Sequence, residues 1–181
     1  MIRFAISRRF ISLGSINPQM LFAHPAVLAK NVSELIALAN AKPGTLNCDS
    51  AGTGTPNHLG CELLQSTGGI HFMHVPFKGA SPGFASVVSN EAHFMFNSIP
   101  AVLRLTRSGK LRALGVGGRR RSTVAPEVPT IAETLPGFEV INWYAMLAPA
   151  GAPQPVIHKI NAEMVNMIAD PPFAQRLLAL G

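Results

Sequence analysis

The sequence is poor in charge, in aromatic rings and in acids. Charged residues make up 13% of its 181 residues and aromatic ones 7%, against 48% hydrophobic. That balance excludes intrinsic disorder, which needs low hydrophobicity together with high charge. Asp occurs only at Asp49 and Asp170, so the net charge of +6 reflects scarce acids. Ten of the fifteen cations are Arg, and Arg119, Arg120 and Arg121 are consecutive. A nucleic-acid surface interleaves such a run with rings that stack on bases. None lies here, so the run reads as a solvated loop and no nucleic-acid partner is expected. No apolar stretch approaches the roughly 18 residues of a spanning helix, so the chain is not expected to be membrane-embedded.

Cysteine is nearly missing as well. Cys48 and Cys61 could pair in an oxidising compartment, but two are not a disulfide framework. They are read as small buried side chains, with pairing left open. Arg3, Arg8 and Arg9 precede any acid. Yet Arg8 and Arg9 split the first apolar stretch, and Gly14, Asn17 and Pro18 dilute the next. A signal peptide needs an unbroken apolar core of about 7–15 residues, so none is assigned and export by this N-terminus is not expected.

Several chemistries lack their residues. Gly52-Thr53-Gly54 carries Asn57 where the dinucleotide fingerprint needs a third Gly, and no Gly-Lys-Ser/Thr phosphate loop exists. There is no Gly-x-Ser-x-Gly elbow. Asp49 neighbours Ser50 on the opposite side of its strand, which leaves a Ser-His-Asp triad without an acid. His71 and His74, three apart on an expected strand, point to opposite faces. His24, His93 and His158 stand alone. No metal site and no cofactor is expected, and no carboxylate pair is set for acid–base work. Trp143-Tyr144 read as aromatic core.

What the sequence does have is regular punctuation. Asn31 and Glu34 form a capping box for a helix that stops at Pro43-Gly44. Strands are expected near Leu46–Asp49, Ile70–Pro76, His93–Phe96, Leu111–Val116 and Val140–Leu147. Helices are expected after Pro56, Pro82 and Pro100. Thr130 and Glu133 form a second capping box. An amphipathic helix opens at Pro153 with Val156, Ile160, Met164 and Ile168 on one face, and a short helix follows Pro171-Pro172. Alternating strands and helices give an α/β fold with a parallel-dominated sheet, which binds ligands beyond the carboxyl ends of its strands.

One pattern recurs three times: strand, short polar loop, then Pro near a helix start. It occurs at Ser50–Pro56, Lys78–Pro82 and Asn97–Pro100. Thr55 and Ser81 are the expected N-caps. Three helix N-termini would open on one sheet edge and present free N–H groups to an anion. Ser50, Ala51, Gly52, Thr53, Gly54, Thr55 and His58, with Lys78, Gly79, Asn97 and Ser98, are the candidate ligand-binding residues. Catalytic residues are not assigned. Polar groups without a nucleophile, base or metal favour a binder over an enzyme.

The order of motifs is specific. It runs Leu46-Asn47, Ser50-Ala51-Gly52-Thr53-Gly54-Thr55-Pro56-Asn57-His58-Leu59, His74-Val75-Pro76-Phe77-Lys78-Gly79 and Gly109-Lys110-Leu111-Arg112-Ala113-Leu114. Val128-Pro129-Thr130 and Trp143-Tyr144 up to Leu147-Ala148-Pro149-Ala150-Gly151 complete it. From about Phe10 onward this succession resembles the Bug family, the extracytoplasmic solute receptors of tripartite tricarboxylate transporters. The resemblance implies one lobe of a flytrap-like, type II periplasmic binding protein fold, with remnants of the other lobe. It divides the chain into 1–24, remnant and crossover strand; 25–138, the ligand-binding lobe; and 139–181, the return crossover and C-terminal helices. It also implies a small carboxylate ligand, membrane subunits of a transporter as partners, a periplasmic location and no catalysis. The family carries most of a first lobe before Phe10, so a truncated member is expected. A small α/β enzyme acting on an anion and a non-functional remnant are the alternatives.

Overall fold

The protein is seen as a computed structural model that describes residues 9–149 and 151–180, with side chains at 18–143, 146–149, 151–173 and 175–176. Residues 1–8 of the N-terminal segment, in which no signal peptide is assigned, therefore lie outside the described residues. The chain divides into two compact units, residues 17–142 and residues 1–16 with 143–181.

The larger unit begins within β1 (Arg9–Ala23) and continues through α1 (Val32–Ala41), β2 (Asn47–Ser50), α2 (Pro56–Gly68) and β3 (Met73–Pro76). Then come α3 (Ala80–Val88), β4 (Phe94–Ser98), α4 (Ile99–Arg107), β5 (Arg112–Val116) and a 3-10 turn at Ile131–Glu133. The sheet order is β3-β2-β4-β1-β5, and β6 (Ile141–Ala148) pairs with β1. β2 runs parallel to β3, with Ser50 opposite Pro76, and parallel to β4, with Asp49 opposite Met95. β1 runs antiparallel to both β4 and β5. The sheet is thus mixed and mostly parallel, and β2, β3 and β4 deliver their carboxyl ends to one edge.

The strands are apolar on both faces because helices cover both. On β1, Leu21 and Ala23 face one side with Phe94 and Phe96 of β4, and α1 and α2 add Leu35, Ala39, Cys61 and Leu64. Met20, Phe22 and Met95 face the other side, where α3 and α4 add Val87, Ile99 and Val102. The side-chain period of two sorts adjacent residues into opposite cores. Truncating Phe22 or Phe96 to Ala would cost about 3–5 kcal/mol.

Local chemistry sets the element ends. Asn31 Oδ1 accepts the Glu34 N–H at 2.9 Å, and Glu34 returns a bond to the Lys30 N–H at 2.7 Å. The box at Thr130 and Glu133 also forms, but it caps only the 3-10 turn. Hydrogen bonds from Arg121 above all, then from Thr130, push the Glu133 carboxyl down to about 2. Arg119 pairs with Glu139 at 2.9 Å and Arg121 with Glu133 at 2.7 Å.

Two expectations need correction here, and the cysteine pairing that the sequence leaves open is resolved. Ser81 is not an N-cap: α3 starts at Ala80, two residues before Pro82, and its N-cap is Gly79. Gly79 adopts φ 118°, open to glycine without strain, and its N–H is held by the Ala51 carbonyl at 3.1 Å. Pro82 then falls inside the first turn, where a missing N–H costs nothing. Trp143 is not core, being 57% exposed; the Tyr144 side chain lies outside the described residues. Cys48 and Cys61 form a disulfide between β2 and α2.

In the smaller unit, α5 (Gln154–Ala169) and α6 (Pro171–Leu180) follow β6. The packed stripe on α5 is Ile157, Ile160 and Met164 against Ala148 and Ala152, and Val156 is exposed. At about 100° per residue, positions 157, 160, 164 and 168 share one narrow stripe, while 156 falls outside it.

Candidate functional site

The candidate residues converge on the carboxyl edge of β2, β3 and β4. Ser50 ends β2, and residues 51–55 form the loop into α2. Thr55 caps α2: its Oγ1 accepts the His58 N–H at 3.5 Å and donates to the Gly52 carbonyl at 2.6 Å. Pro56 holds the first helical position, as the Thr-Pro pair predicts. The loop after β3 is tied alongside by Phe77 N–H to Ser50 O at 3.0 Å and Gly79 N–H to Ala51 O at 3.1 Å. Lys78, between those bonds, is exposed. At the end of β4, Asn97 Oδ1 accepts the Ser98 N–H at 2.8 Å, and Ser98 is the N-cap of α4.

The loop backbone needs glycine at two points. Gly52 has φ 128°, and a Cβ there would stand 3.2 Å from the Phe77 carbonyl oxygen. Gly54 has φ 81°, but a Cβ would meet nothing within 4 Å. The first glycine lets two loops touch; the second turns the backbone toward open space, with exposed Thr53 beside it.

The candidates divide by role. Thr53, Gly54 and Lys78 are exposed, and Ala51, Gly52, Thr55, His58, Gly79, Asn97 and Ser98 are partly so. Ser50 is fully buried and its hydroxyl is occupied: it lies 2.7 Å from His74 Nε2 and accepts the Gly52 N–H at 3.1 Å. It shapes the loop from beneath. Buried Asn57 bonds the Phe96 carbonyl and reaches Gln19 Oε1 at 3.4 Å, which anchors α2 to β4 and β1. Gln19 carried no local signal, because only the antiparallel register opposite Ser98 brings it to this edge.

Sequence spacing also missed a cluster. His58, Glu62 and His74 gather with donor atoms within 4.8 Å of one another, and the two imidazole rings are 4.2 Å apart. The set superficially suits a metal. Its hydrogen bonds argue otherwise. The Gly54 N–H donates to His58 Nδ1 at 3.2 Å, which leaves the ring proton on Nε2, 3.6 Å from Glu62 Oε1. A metal-bound imidazole keeps its lone pair on the metal and donates from the other nitrogen; His58 does the reverse. Burial, then the neighbouring His58, lowers the His74 pKa, with Glu62 opposing. The other isolated histidines are structural where their bonds are seen: His93 Nδ1 accepts the Asn47 N–H at 2.9 Å, and His24 Nδ1 accepts the Ala26 N–H at 3.1 Å.

On the far face of β2, Asp49 is fully buried and neither oxygen has a hydrogen-bond partner among the described residues. Burial pushes its pKa up to about 6; the Ser86 hydroxyl, short of good hydrogen-bond geometry, works the other way, and Glu91 adds to the rise. It takes no part in the loop.

Comparison with known proteins gives the site its context. The model of the tripartite tricarboxylate transporter family receptor, TctC, matches residues 8–181. A Pseudomonas sp. (strain P51) relative, the UPF0065 protein in the tcbD-tcbE intergenic region, is 38% identical over 154 residues, covering 84% of this chain and 46% of its own. Protein BugT of Bordetella pertussis is 31% identical, covering 91% of this chain and 51% of its own. MatC of Rhodopseudomonas palustris, solved with bound malate, superposes with TM-score 0.86 at 30% identity, over 96% of this chain and 60% of that one. R. palustris Rpa4515, solved with adipate, gives TM-score 0.87 at 25% identity, over 94% and 57%. The chain spans about half the length of these curated relatives.

Proposed function

Since the chain belongs to the tripartite tricarboxylate transporter receptor family, we propose that it captures a small carboxylate at the Ser50–His58 loop for delivery to a membrane transporter. The family is one of transport receptors and not of enzymes. The observation that carries the reading is the strand-to-helix junction Gly52-Thr53-Gly54-Thr55-Pro56, which leads into the thirteen residues of α2. Its exposed Thr53-Gly54 turn lies at the positive end of the α2 dipole and suits a carboxylate. Lys78, Asn97 and Ser98 stand on the two neighbouring loops and would contact the remainder of the solute. Malate and adipate, held by the two R. palustris proteins, mark the chemical class. Residues 25–138 act as the ligand-binding lobe, and the membrane subunits of the transporter are the partners. The compartment is the periplasm, where BugD, another structural relative, works. No described helix is long and apolar enough to cross a membrane.

An NMR titration with mono-, di- and tricarboxylates tests this. Shifts should cluster at the amides of residues 50–58, with affinity in the millimolar range, about −4 kcal/mol, for this chain. Shifts confined to Arg119–Arg121 would instead mean nonspecific charge binding. Thr53→Ala removes one neutral hydrogen bond and should weaken binding about tenfold or less. Gly54→Val should abolish it, because the side chain meets no neighbour and the strain at φ 81° remodels the loop itself.

A further inference from the structure

One imidazole takes a loop amide directly, and a second holds the hydroxyl that takes another. His58 Nδ1 accepts the Gly54 N–H at 3.2 Å. His74 Nε2 holds the Ser50 hydroxyl at 2.7 Å, and that hydroxyl accepts the Gly52 N–H at 3.1 Å. The two rings stand 4.2 Å apart, close enough for the charge on one to oppose charging of the other. In the neutral pair the Gly54 amide is satisfied within the protein.

A proton on His58 Nδ1 changes that. The nitrogen becomes a donor, can no longer accept the Gly54 N–H, and releases that amide toward the open side of the loop. The same proton adds a positive charge beside the exposed Thr53-Gly54 turn. Glu62, on the same helix, stands 3.6 Å from Nε2. On β3, burial and then the neighbouring His58 disfavour charge on His74. Lys78 lies on the loop after β3, and Asp49 is on the other face of β2, toward Ser86 of α3.

We propose that anion capture by the Ser50–His58 loop is coupled to proton uptake by the His58–His74 pair, with His58 as the positioning residue that withholds the Gly54 amide until it is protonated. The inference rests on the receptor reading above and adds its regulation. By linkage, whatever factor protonation adds to anion affinity, the anion must add to proton affinity. Mildly acidic solution would load the loop and more alkaline solution would unload it.

The test is an NMR titration of the full chain with malate and with adipate at about pH 6 and about pH 8, where both are largely ionised. Binding should be about tenfold tighter at the lower pH, within the usual range of site-to-site coupling. His58→Asn places Oδ1 where Nδ1 stood, so it still accepts the Gly54 N–H but takes up no proton. Its affinity should be flat with pH and match the weaker, alkaline affinity of the natural chain. Should that variant fail to fold, the natural chain still decides the matter. Saturating malate should raise the midpoint of the His58 imidazole titration by about one pH unit, the same tenfold read from the proton side. Binding that is level with pH, or a His58 midpoint unmoved by malate, overturns the coupling and leaves the receptor reading standing. Absence of binding by either dicarboxylate at both pH values overturns the receptor reading, and the coupling falls with it.

Discussion

Asp49 shows how much a single side chain can cost this fold. Its carboxyl is buried against α3 with no hydrogen-bond partner among the described residues, and burial raises its pKa from 3.8 to about 6. Below pH 3.8 both folded and unfolded chains hold the proton, and the fold keeps its full stability in this respect. Between the two values the unfolded chain releases the proton and the folded chain does not, so stability falls as pH rises until the folded carboxyl ionises near 6. The loss totals about 3 kcal/mol, an order of magnitude set by the two-unit difference. Asp49→Asn removes this titration. Urea unfolding at several pH values from about 4 to 8 should show the difference between the two chains growing through that window and levelling above pH 6. A constant difference would mean Asp49 is solvated or paired in the folded chain. The sequence placed Asp49 opposite Ser50 but gave no hint of its burial, because that depends on α3 covering the strand. Thr55, by contrast, was legible as a cap, since the bond it makes lies within three residues. His58 and His74 were not legible as a pair. Sixteen positions separate them, and only the parallel pairing of β2 with β3 brings α2's first turn to β3.

At the scale of elements, β2 and α2 act as one stapled unit. The Cys48–Cys61 disulfide closes a loop with a sequence separation of 13, and the entire candidate anion loop lies inside it. Closing a loop of that length removes unfolded-state entropy worth about 3 kcal/mol. Two cysteines left the pairing open in the sequence. The bond needs β2 and α2 packed side to side, and that packing is set by Leu64, Phe94 and Phe96 in the shared core. Reduction should lower stability by about 2–4 kcal/mol, read from urea unfolding with and without a thiol reductant. Carboxylate binding should weaken with it, since residues 49–60 lose a fixed frame. An unchanged urea midpoint would show that packing alone holds the two elements together. The strand and helix alternation was otherwise readable nearly throughout, because each apolar run ends at a Gly, Pro or capping residue. The errors sit where tertiary contact overrides local preference, as at Gly79 with its bond to Ala51.

At the scale of the whole chain, the described residues of the two compact units are unequally supplied with core. Residues 17–142 bury apolar side chains on both faces of the sheet. Among the described residues of 143–181, Ala148 and Ile157 are buried core, with Ala152, Ile160 and Met164 partly covered. In that same unit Trp143, Met146, Leu147, Val156, Val165 and Met167 are 43–57% exposed. Contiguous apolar surface beyond a few hundred Å² promotes association. The sequence showed the amphipathic helix but placed Val156 on its packed stripe. A spacing of four drifts about 40° per step at 100° per residue, so a run chosen by fours leaves the buried face. Sedimentation of the chain over a tenfold range of concentration should therefore show association. A fragment of residues 17–142 should remain folded and monomeric, because its two cores are complete within it. Val165→Lys should lessen association of the full chain without changing its urea midpoint by more than about 0.5 kcal/mol, as expected for an exposed substitution. A monomeric full chain at high concentration would show that these side chains are too dispersed to form a patch. An associating 17–142 fragment would place the adhesive surface on the larger unit, where Leu28, Leu59, Met73 and Val88 are exposed.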